Sequence, residues 1–121
     1  MAFPLFNSIA TWFLKKRIHQ IELFVKYPNE VQQEVLQDLV GMAKKTKMGY
    51  KHDFSSINNY KVFSQRVPIV QYEAIADEIN ASRLGEDNIF WPTPIKWYAK
   101  SSGTTNAKSK FIPVSVEALE N

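Results

Sequence analysis

Cysteine is absent from the 121 residues of this sequence. That absence excludes disulfides, thiolate metal sites and a cysteine nucleophile, and it is typical of a reducing compartment, so we expect a cytoplasmic protein. Histidine is scarce, because His19 and His52 are the only two. Neither lies near a second histidine or a spaced pair of carboxylates, and we therefore predict no metal site. Long hydrophobic runs are also missing: no stretch approaches the roughly 20 apolar residues of a transmembrane helix, so we expect no membrane span.

Charge of one sign and low-complexity composition are lacking as well. Fifteen Lys and Arg against twelve Asp and Glu leave a formal net charge of +3, which is far from the strongly basic surface of a nucleic-acid-binding protein. Four glycines and six prolines are too few for a disordered chain, whereas 45% hydrophobic residues suit a packed core. We therefore predict one globular domain that does not bind nucleic acid.

Apolar residues at steps of three and four predict a first helix over about residues 6–26. Tyr27-Pro28 interrupts it, and Asn29 with Gln32 resembles a capping box that opens a second helix over about residues 29–45. Because the connection is so short, we expect the two helices to form an antiparallel pair that packs with the rest.

A third helix is predicted over about residues 72–84, with Gly85 as its stop signal. The stretch 49–56 has no clear period and is predicted to be a loop, followed by a short helix over residues 56–64. Near the carboxyl end, residues 95–99 and 110–114 read as two short strands, and Ser115 is placed to cap a last helix. The sequence therefore predicts an α+β fold, with amino-terminal helices followed by a strand, a loop and a strand.

The segment between the predicted strands, residues 101–110, combines Ser and Thr hydroxyls with Gly103, Lys108 and Lys110. Glycine lets the backbone aim successive amides at an anion, hydroxyls donate further hydrogen bonds, and lysine adds positive charge. The pattern is not the Walker type, which has two glycines and opens a helix. Composition alone is equally compatible with a surface turn.

The core Ser101-Ser102-Gly103-Thr104-Thr105 with Lys110 resembles the phosphate-loop signature of the adenylate-forming superfamily, which includes acyl-CoA synthetases and firefly luciferase. The resemblance implies ATP and Mg²⁺ as cofactors. It places Ser101, Ser102, Thr104 and Thr105 near the ATP phosphates, Gly103 at the turn and Lys110 as a support for the loop. Asn106-Ala107 departs from the signature, because many members carry glycine in that stretch.

A narrower resemblance lies upstream, and it is to the auxin-responsive-promoter family of acyl acid-amido synthetases. The family has plant and bacterial members, and we expect a bacterial one here. The residues that carry it are Thr46, Gly49, His52, Phe54, Ile57, Phe63, Val67-Pro68-Ile69 and Tyr72-Glu73.

That resemblance implies that residues 1–121 are the amino-terminal part of one adenylating domain in a longer enzyme. Such an enzyme uses ATP to convert a carboxylic acid into an acyl-adenylate, and then forms an amide with an amine or amino acid. The fragment alone is expected to be inactive, and the edges of its strands predict self-association.

Other readings stay open at this point. No catalytic residue is assigned, because Tyr72-Glu73 reads better as a packed tyrosine beside a solvated glutamate than as a catalytic acid. Trp12, Trp91 and Trp97 read as core or interface anchors. The alternatives to the synthetase are a non-enzymatic helical interaction module, in which the loop is incidental, and an adenylating enzyme with another acceptor such as CoA.

Overall fold

The structure, a computed structural model, describes residues 4–102 and 108–120. The predicted α+β class is confirmed, because helices dominate and the described strands form one two-stranded sheet. The chain divides into two compact units, residues 1–36 and 37–121. The elements in chain order are α1 (Pro4–Lys26), α2 (Pro28–Ala43), α3 (Lys47–Lys51), a 3₁₀ helix (Phe54–Ser56), α4 (Tyr60–Arg66), a second 3₁₀ helix (Tyr72–Ile75), α5 (Ala76–Arg83), β1 (Trp97–Lys100), β2 (Phe111–Val114) and α6 (Val116–Glu120).

Helix α1 agrees with the predicted position, but its apolar side chains are exposed. Six residues of the predicted apolar stripe have side chains that the structure describes, and each is more than half exposed: Ile9, Phe13, Leu14, Ile18, Ile21 and Val25. The prediction that this helix packs into a core is therefore wrong for these residues. The period of a helix predicts an apolar face, but it does not say what covers that face. No helix in the described part of the chain is both long and apolar enough to cross a membrane.

The junction between α1 and α2 does not reverse the chain. Tyr27 N–H donates to the Leu23 carbonyl at 2.8 Å, and Val31 N–H donates to the Tyr27 carbonyl at 3.1 Å, so helical hydrogen bonds lie on both sides of Tyr27. Pro28 is the first residue of α2, where its missing N–H costs nothing. Asn29 therefore lies inside the helix, and the predicted capping box and antiparallel pair are both wrong.

A buried threonine connects α2 to α3. Thr46 Oγ1 donates to the Ala43 carbonyl at 2.7 Å and accepts from Gly49 N–H at 3.0 Å, and its side chain is fully buried. This cap starts helix α3 at Lys47, and the helix runs to Lys51 within the stretch 49–56, so the prediction of a loop there is wrong. The structure instead has one turn of α-helix and a 3₁₀ helix, which are too short to show an apolar period.

Polar backbone bonds tie this turn to a distant segment. Lys47 N–H donates to the Asn88 carbonyl at 2.9 Å, Met48 N–H donates to the Ile89 carbonyl at 3.0 Å, and the Asn88 amide group donates to the Lys45 carbonyl at 2.9 Å. Asn88 has a left-handed φ of 59°, which asparagine adopts more readily than most residues. The buried apolar residues of this unit lie near these segments in the sequence or in α5: Val40, Ala43, Met48, Ile57, Ile79 and Ile89.

The remaining helices follow the predictions with shifted boundaries. The helix predicted over residues 56–64 is α4, capped by Asn59, whose Oδ1 accepts from Val62 N–H at 2.9 Å. The helix predicted over residues 72–84 begins as a 3₁₀ turn before α5. Ser115 caps α6 as predicted, because its Oγ accepts from Ala118 N–H at 3.1 Å.

A carboxylate joins α6 to the segment before β1. Trp91 Nε1 donates to Glu117 Oε2 at 3.1 Å, and Thr93 Oγ1 donates to the same carboxylate at 3.2 Å. We call these contacts the Glu117 clamp. Trp91 is half-buried there, whereas Trp12 and Trp97 are both 59% exposed and are not core anchors.

The two strands pair with each other in an antiparallel register that sets Trp97 opposite Val114 and Lys100 opposite Phe111. Each begins one or two residues later than predicted. In an antiparallel pair, hydrogen-bonded and non-hydrogen-bonded positions alternate. Since Ser101 N–H bonds the Lys110 carbonyl, the next positions along β2 whose backbone groups turn away from β1 are Phe111 and Pro113. Proline has no N–H to offer, and the Tyr72 hydroxyl bonds both polar groups of Phe111. The outer edge of β2 is therefore closed.

Candidate functional site

The β1–β2 hairpin brings together the two ends of the loop predicted to bind phosphate. Ser101 N–H donates to the Lys110 carbonyl at 2.9 Å, and Lys110 N–H donates to Ser101 Oγ at 3.1 Å. The ladder thus extends one residue beyond the strands, with the serine side chain as the acceptor in the second bond. We call this pair the mouth of the loop.

Of the six residues predicted to bind nucleotide, Ser101, Ser102 and Lys110 lie at or beside this mouth. Ser101 and Lys110 are half-buried, and Ser102 is exposed. Gly103, Thr104 and Thr105 lie outside the described residues, as does Asn106-Ala107. Their predicted contact with the ATP phosphates stays a prediction.

The Ser101 hydroxyl keeps a donor for a ligand. Its oxygen accepts the Lys110 N–H, which uses a lone pair and leaves the O–H proton available. A phosphate oxygen is an acceptor only, so it would accept a hydrogen bond from this O–H group while the Lys110 N–H stays bonded to Ser101 Oγ. Ser101 can therefore close the loop and contact phosphate at the same time.

Lys110 is paired with an acid from a different element. Its Nζ lies 3.5 Å from Glu73 Oε1 and 5.3 Å from the centre of the Tyr72 ring. A hydrogen bond from its own backbone N–H, together with the charge of Lys110, lowers the pKa of Glu73. Glu73 is therefore a charged partner for the lysine near neutral pH.

Tyr72 holds the residue that follows Lys110. Its hydroxyl accepts from Phe111 N–H at 3.0 Å and donates to the Phe111 carbonyl at 3.2 Å. Neither contact is predictable from the sequence, because residues 72 and 111 are far apart in the chain and no local pattern links them. The available signal was the presence of Tyr72-Glu73 among the residues that carry the family resemblance.

Further positive charge surrounds the same strand. The Arg83 guanidinium carbon lies 3.6 Å from the centre of the Phe111 ring, and Lys100 Nζ lies 6.0 Å from it. These are cation–π contacts at the Phe111 ring. Because side chains alternate along a strand, this ring and its two cations lie on the face of the hairpin opposite Lys110. Lys110 is therefore the cation that the described contacts place at the mouth itself.

The described residues include no group of three His, Asp or Glu side chains that could hold a metal ion. His52 Nδ1 instead lies 3.0 Å from the Arg66 carbonyl, and His19 lies 3.9 Å from Glu22 on exposed α1. We assign no Mg²⁺ ligand to this part of the chain.

Comparison with known proteins gives consistent matches along most of the sequence. The model of the GH3 family N-terminal domain matches residues 17–121. Indole-3-acetic acid-amido synthetase GH3.5 of Arabidopsis thaliana is 27% identical over 88% of this chain and 18% of its own length. Jasmonoyl--L-amino acid synthetase JAR4 of Nicotiana attenuata is also 27% identical, over 86% of this chain and 18% of its own length.

A solved structure agrees with the sequence matches. The acyl acid amido synthetase GH3.15 superposes with a TM-score of 0.73 at 26% identity, over 84% of this chain and 18% of that one. The chain therefore spans about a fifth of the length of these relatives.

Proposed function

This chain belongs to the GH3 family, as the sequence resemblance predicted, and on that premise we propose that it is the amino-terminal part of an ATP-dependent acyl acid-amido synthetase. We propose further that residues 101–110 hold the ATP phosphates. The observation that supports this role is the closed mouth of the loop, where the backbone of Lys110 pairs with Ser101 and the loop carries the Lys110 ammonium group.

The proposed reaction has two steps. A carboxylate oxygen of the acid attacks the α-phosphorus of ATP, so that an acyl-adenylate forms and pyrophosphate leaves. The nitrogen of a neutral amine or amino acid then attacks the acyl carbon and gives up a proton to solvent, and AMP leaves with the electron pair of the broken C–O bond.

The loop acts in the first step. Negative charge on the β and γ phosphates grows as pyrophosphate departs, and preorganised amides, hydroxyls and a lysine stabilise that charge as it develops. Mg²⁺, when bound with the nucleotide, would supply further charge neutralisation. The relatives are named for indole-3-acetic acid and for jasmonoyl and amino acid groups, and we propose substrates of these classes for the full-length protein.

Replacement of the two loop threonines tests this role in the full-length protein. Each lost hydrogen bond to a charged phosphate is worth about 1.5 to 3 kcal/mol, so Thr104→Ala with Thr105→Ala should slow acid-dependent pyrophosphate exchange by on the order of a hundredfold or more. Indole-3-acetate and jasmonate are the first acids to use. Ser55→Ala with Ser64→Ala is the matched control, because it removes two exposed hydroxyls in other elements.

An unchanged exchange rate in the threonine variant would remove the loop from the mechanism. Release of an amide rather than a CoA thioester, when both acceptors are offered, separates the synthetase from the CoA alternative. The 121-residue chain should bind Mg-ATP weakly, since a nucleotide site also needs contacts to base and ribose. Calorimetric titration that gave low-micromolar affinity for the chain alone would contradict this expectation.

A further inference from the structure

Tyr72 and Glu73 are neighbours in the sequence, and they contact two further neighbours, Phe111 and Lys110. The first pair opens the 3₁₀ helix Tyr72–Ile75, and the second pair ends the loop and begins β2. Two adjacent residues of one element thus hold two adjacent residues of another. We call these contacts the Tyr72–Glu73 latch.

The Tyr72 side of the latch acts on the backbone. Its half-buried hydroxyl bonds both the N–H and the carbonyl of Phe111, on the side of β2 that faces away from β1. Phe111 pairs with Lys100 at a position of the ladder that has no hydrogen bond, so the Tyr72 hydroxyl supplies the partner of both backbone groups of Phe111. Because Tyr72 has only two side-chain torsions, this contact fixes the start of β2 at small entropic cost.

The Glu73 side of the latch acts on charge. Its carboxylate is bonded by its own backbone N–H and lies 3.5 Å from Lys110 Nζ. The Glu73 side chain is 71% exposed, so this ion pair adds little stability and is screened by salt. At low salt the pair still biases the flexible ammonium group of Lys110 toward one position beside the mouth of the loop.

We propose that Tyr72 and Glu73 are positioning residues for the phosphate loop: Tyr72 sets the backbone after the loop, and Glu73 holds the Lys110 ammonium where a phosphate meets it. This inference rests on the proposed function. Neither residue touches the reacting atoms, and both act through Phe111 and Lys110.

The Tyr72→Phe variant tests the backbone contact in the full-length protein. It removes the hydroxyl but keeps the ring, so the dissociation constant for Mg-ATP, measured by calorimetry, should rise about tenfold. The unfolding temperature should fall only slightly below that of Tyr60→Phe, a matched control whose side chain is exposed, because water can replace the lost hydroxyl at the half-buried Phe111. Hydrogen exchange at the Phe111 amide should accelerate in Tyr72→Phe and not in the control.

The Glu73→Gln variant tests the ion pair. At about 0.01 M salt it should weaken Mg-ATP binding several-fold relative to the wild type, and at about 1 M salt the two proteins should bind alike, because the wild-type pair is then screened. Glu86→Gln is the matched control, since it breaks the similarly exposed pair between Lys47 and Glu86, whose atoms lie 4.0 Å apart. A glutamate that does not position Lys110 would only repel the phosphates, so its loss would tighten Mg-ATP binding at low salt. Tighter or unchanged binding in Glu73→Gln therefore overturns the positioning role.

The outcomes separate the two proposals. If the wild-type protein binds Mg-ATP and the variants match their controls, the positioning role is overturned and the proposed function stands. If affinity falls only in step with the unfolding temperature, the latch is structural and the inference is equally overturned. If the full-length wild type does not bind Mg-ATP, the proposed function fails and the inference fails with it.

Discussion

Thr46 and Ser101 each use a hydroxyl oxygen to accept a backbone N–H, yet the two sites differ in what remains available. Thr46 accepts from Gly49 and also donates to Ala43, and its side chain is fully buried. Ser101 accepts from Lys110, is half-buried and keeps its proton. Both residues belong to the segments that carry the family resemblance. The difference indicates that a motif hydroxyl with both hydrogen-bonding roles used inside the protein supports the fold, whereas one with a spare donor can serve a ligand.

The largest effect should come from the turn around Thr46. A Cβ at Gly49 would lie 2.1 Å from the Ala43 carbonyl oxygen, and that atom is backbone and cannot move aside easily. Gly49→Ala should therefore lower the free energy of unfolding of the chain by about 3 kcal/mol or more. Urea unfolding is the measurement.

Gly41→Ala is the matched control for that experiment. Gly41 lies inside α2, and a Cβ added there would meet no atom within 4 Å, so alanine should stabilise the chain by about 0.5 to 1 kcal/mol. Equal effects of the two substitutions would show that the turn around Thr46 is not tightly packed.

The next effect concerns the Thr46 hydroxyl itself. Thr46→Val leaves the buried Gly49 N–H without its acceptor, while the Ala43 carbonyl keeps its bond from the backbone N–H of residue 46, so the change should cost about 1 to 3 kcal/mol of unfolding free energy. Thr46→Ser keeps the hydroxyl and should cost less, about 0.8 kcal/mol for the lost methyl group. If valine were as well tolerated as serine in urea unfolding, the buried hydrogen bonds would not be the reason for Thr46.

Ser101→Ala should give the opposite balance of effects. The Lys110 N–H can bond water at a half-exposed site, so the unfolding free energy of the chain should fall by only about 0.5 to 1.5 kcal/mol. In the full-length protein the dissociation constant for Mg-ATP should rise about tenfold, because a donor to phosphate is lost. If Ser101→Ala lowered stability but left Mg-ATP affinity unchanged, Ser101 would support the fold as Thr46 does, and its spare donor would not serve a ligand.

The smallest expected effect is a difference in how stability depends on pH, between the turn around Thr46 and the Glu117 clamp. The turn around Thr46 is held by groups that do not titrate, whereas the Glu117 clamp depends on a carboxylate. A hydrogen bond from its own backbone N–H is the main cause that lowers the pKa of Glu117 below its ordinary 4.5. Burial opposes it, and hydrogen bonds from Trp91, Ser115 and Thr93 add to the lowering.

A lowered folded-state pKa means that the clamp contributes its stability above pH 4.5 and loses it as the pH falls through the folded pKa. Glu117→Gln should therefore flatten part of the decline of the unfolding temperature below that pH, as measured by thermal unfolding from neutral to acidic pH. Thr46→Ser is the control and should leave the slope unchanged. An unaltered slope in Glu117→Gln would remove the clamp from the acid response.

The sequence predicted the elements whose signals are local. The strands flanking the loop, the Ser115 cap and α5 follow from β-propensity, capping chemistry and an apolar period. The junction at Tyr27-Pro28 was misread, because a proline at the first position of a helix and a proline that ends one look alike in sequence. The one-turn helix α3 is not predictable from a local window, because it depends on the Thr46 cap and on bonds from Lys47 and Met48 to a segment about 40 residues further on.

The site was predictable to the same extent. Ser101, Ser102 and Lys110 were found from a contiguous signature, and the structure places them at or beside the mouth of one loop. The contacts of Tyr72 and Glu73 with Phe111 and Lys110 could not be found in that way, because they join segments nearly 40 residues apart and depend on how α5 and β2 pack.

The closed outer edge of β2 has a consequence for how this chain meets other strands. In the described part of the chain, the backbone groups of Tyr98 and Lys100 face the outer edge of β1 without a backbone partner, while Pro113 and the Tyr72 hydroxyl block the other side. A sheet with one open edge can pair with a further strand at that edge but not at the other. Two copies paired edge to edge through β1 would present β2 on both outer sides, so their symmetric contact would terminate at a dimer instead of propagating into a fibre.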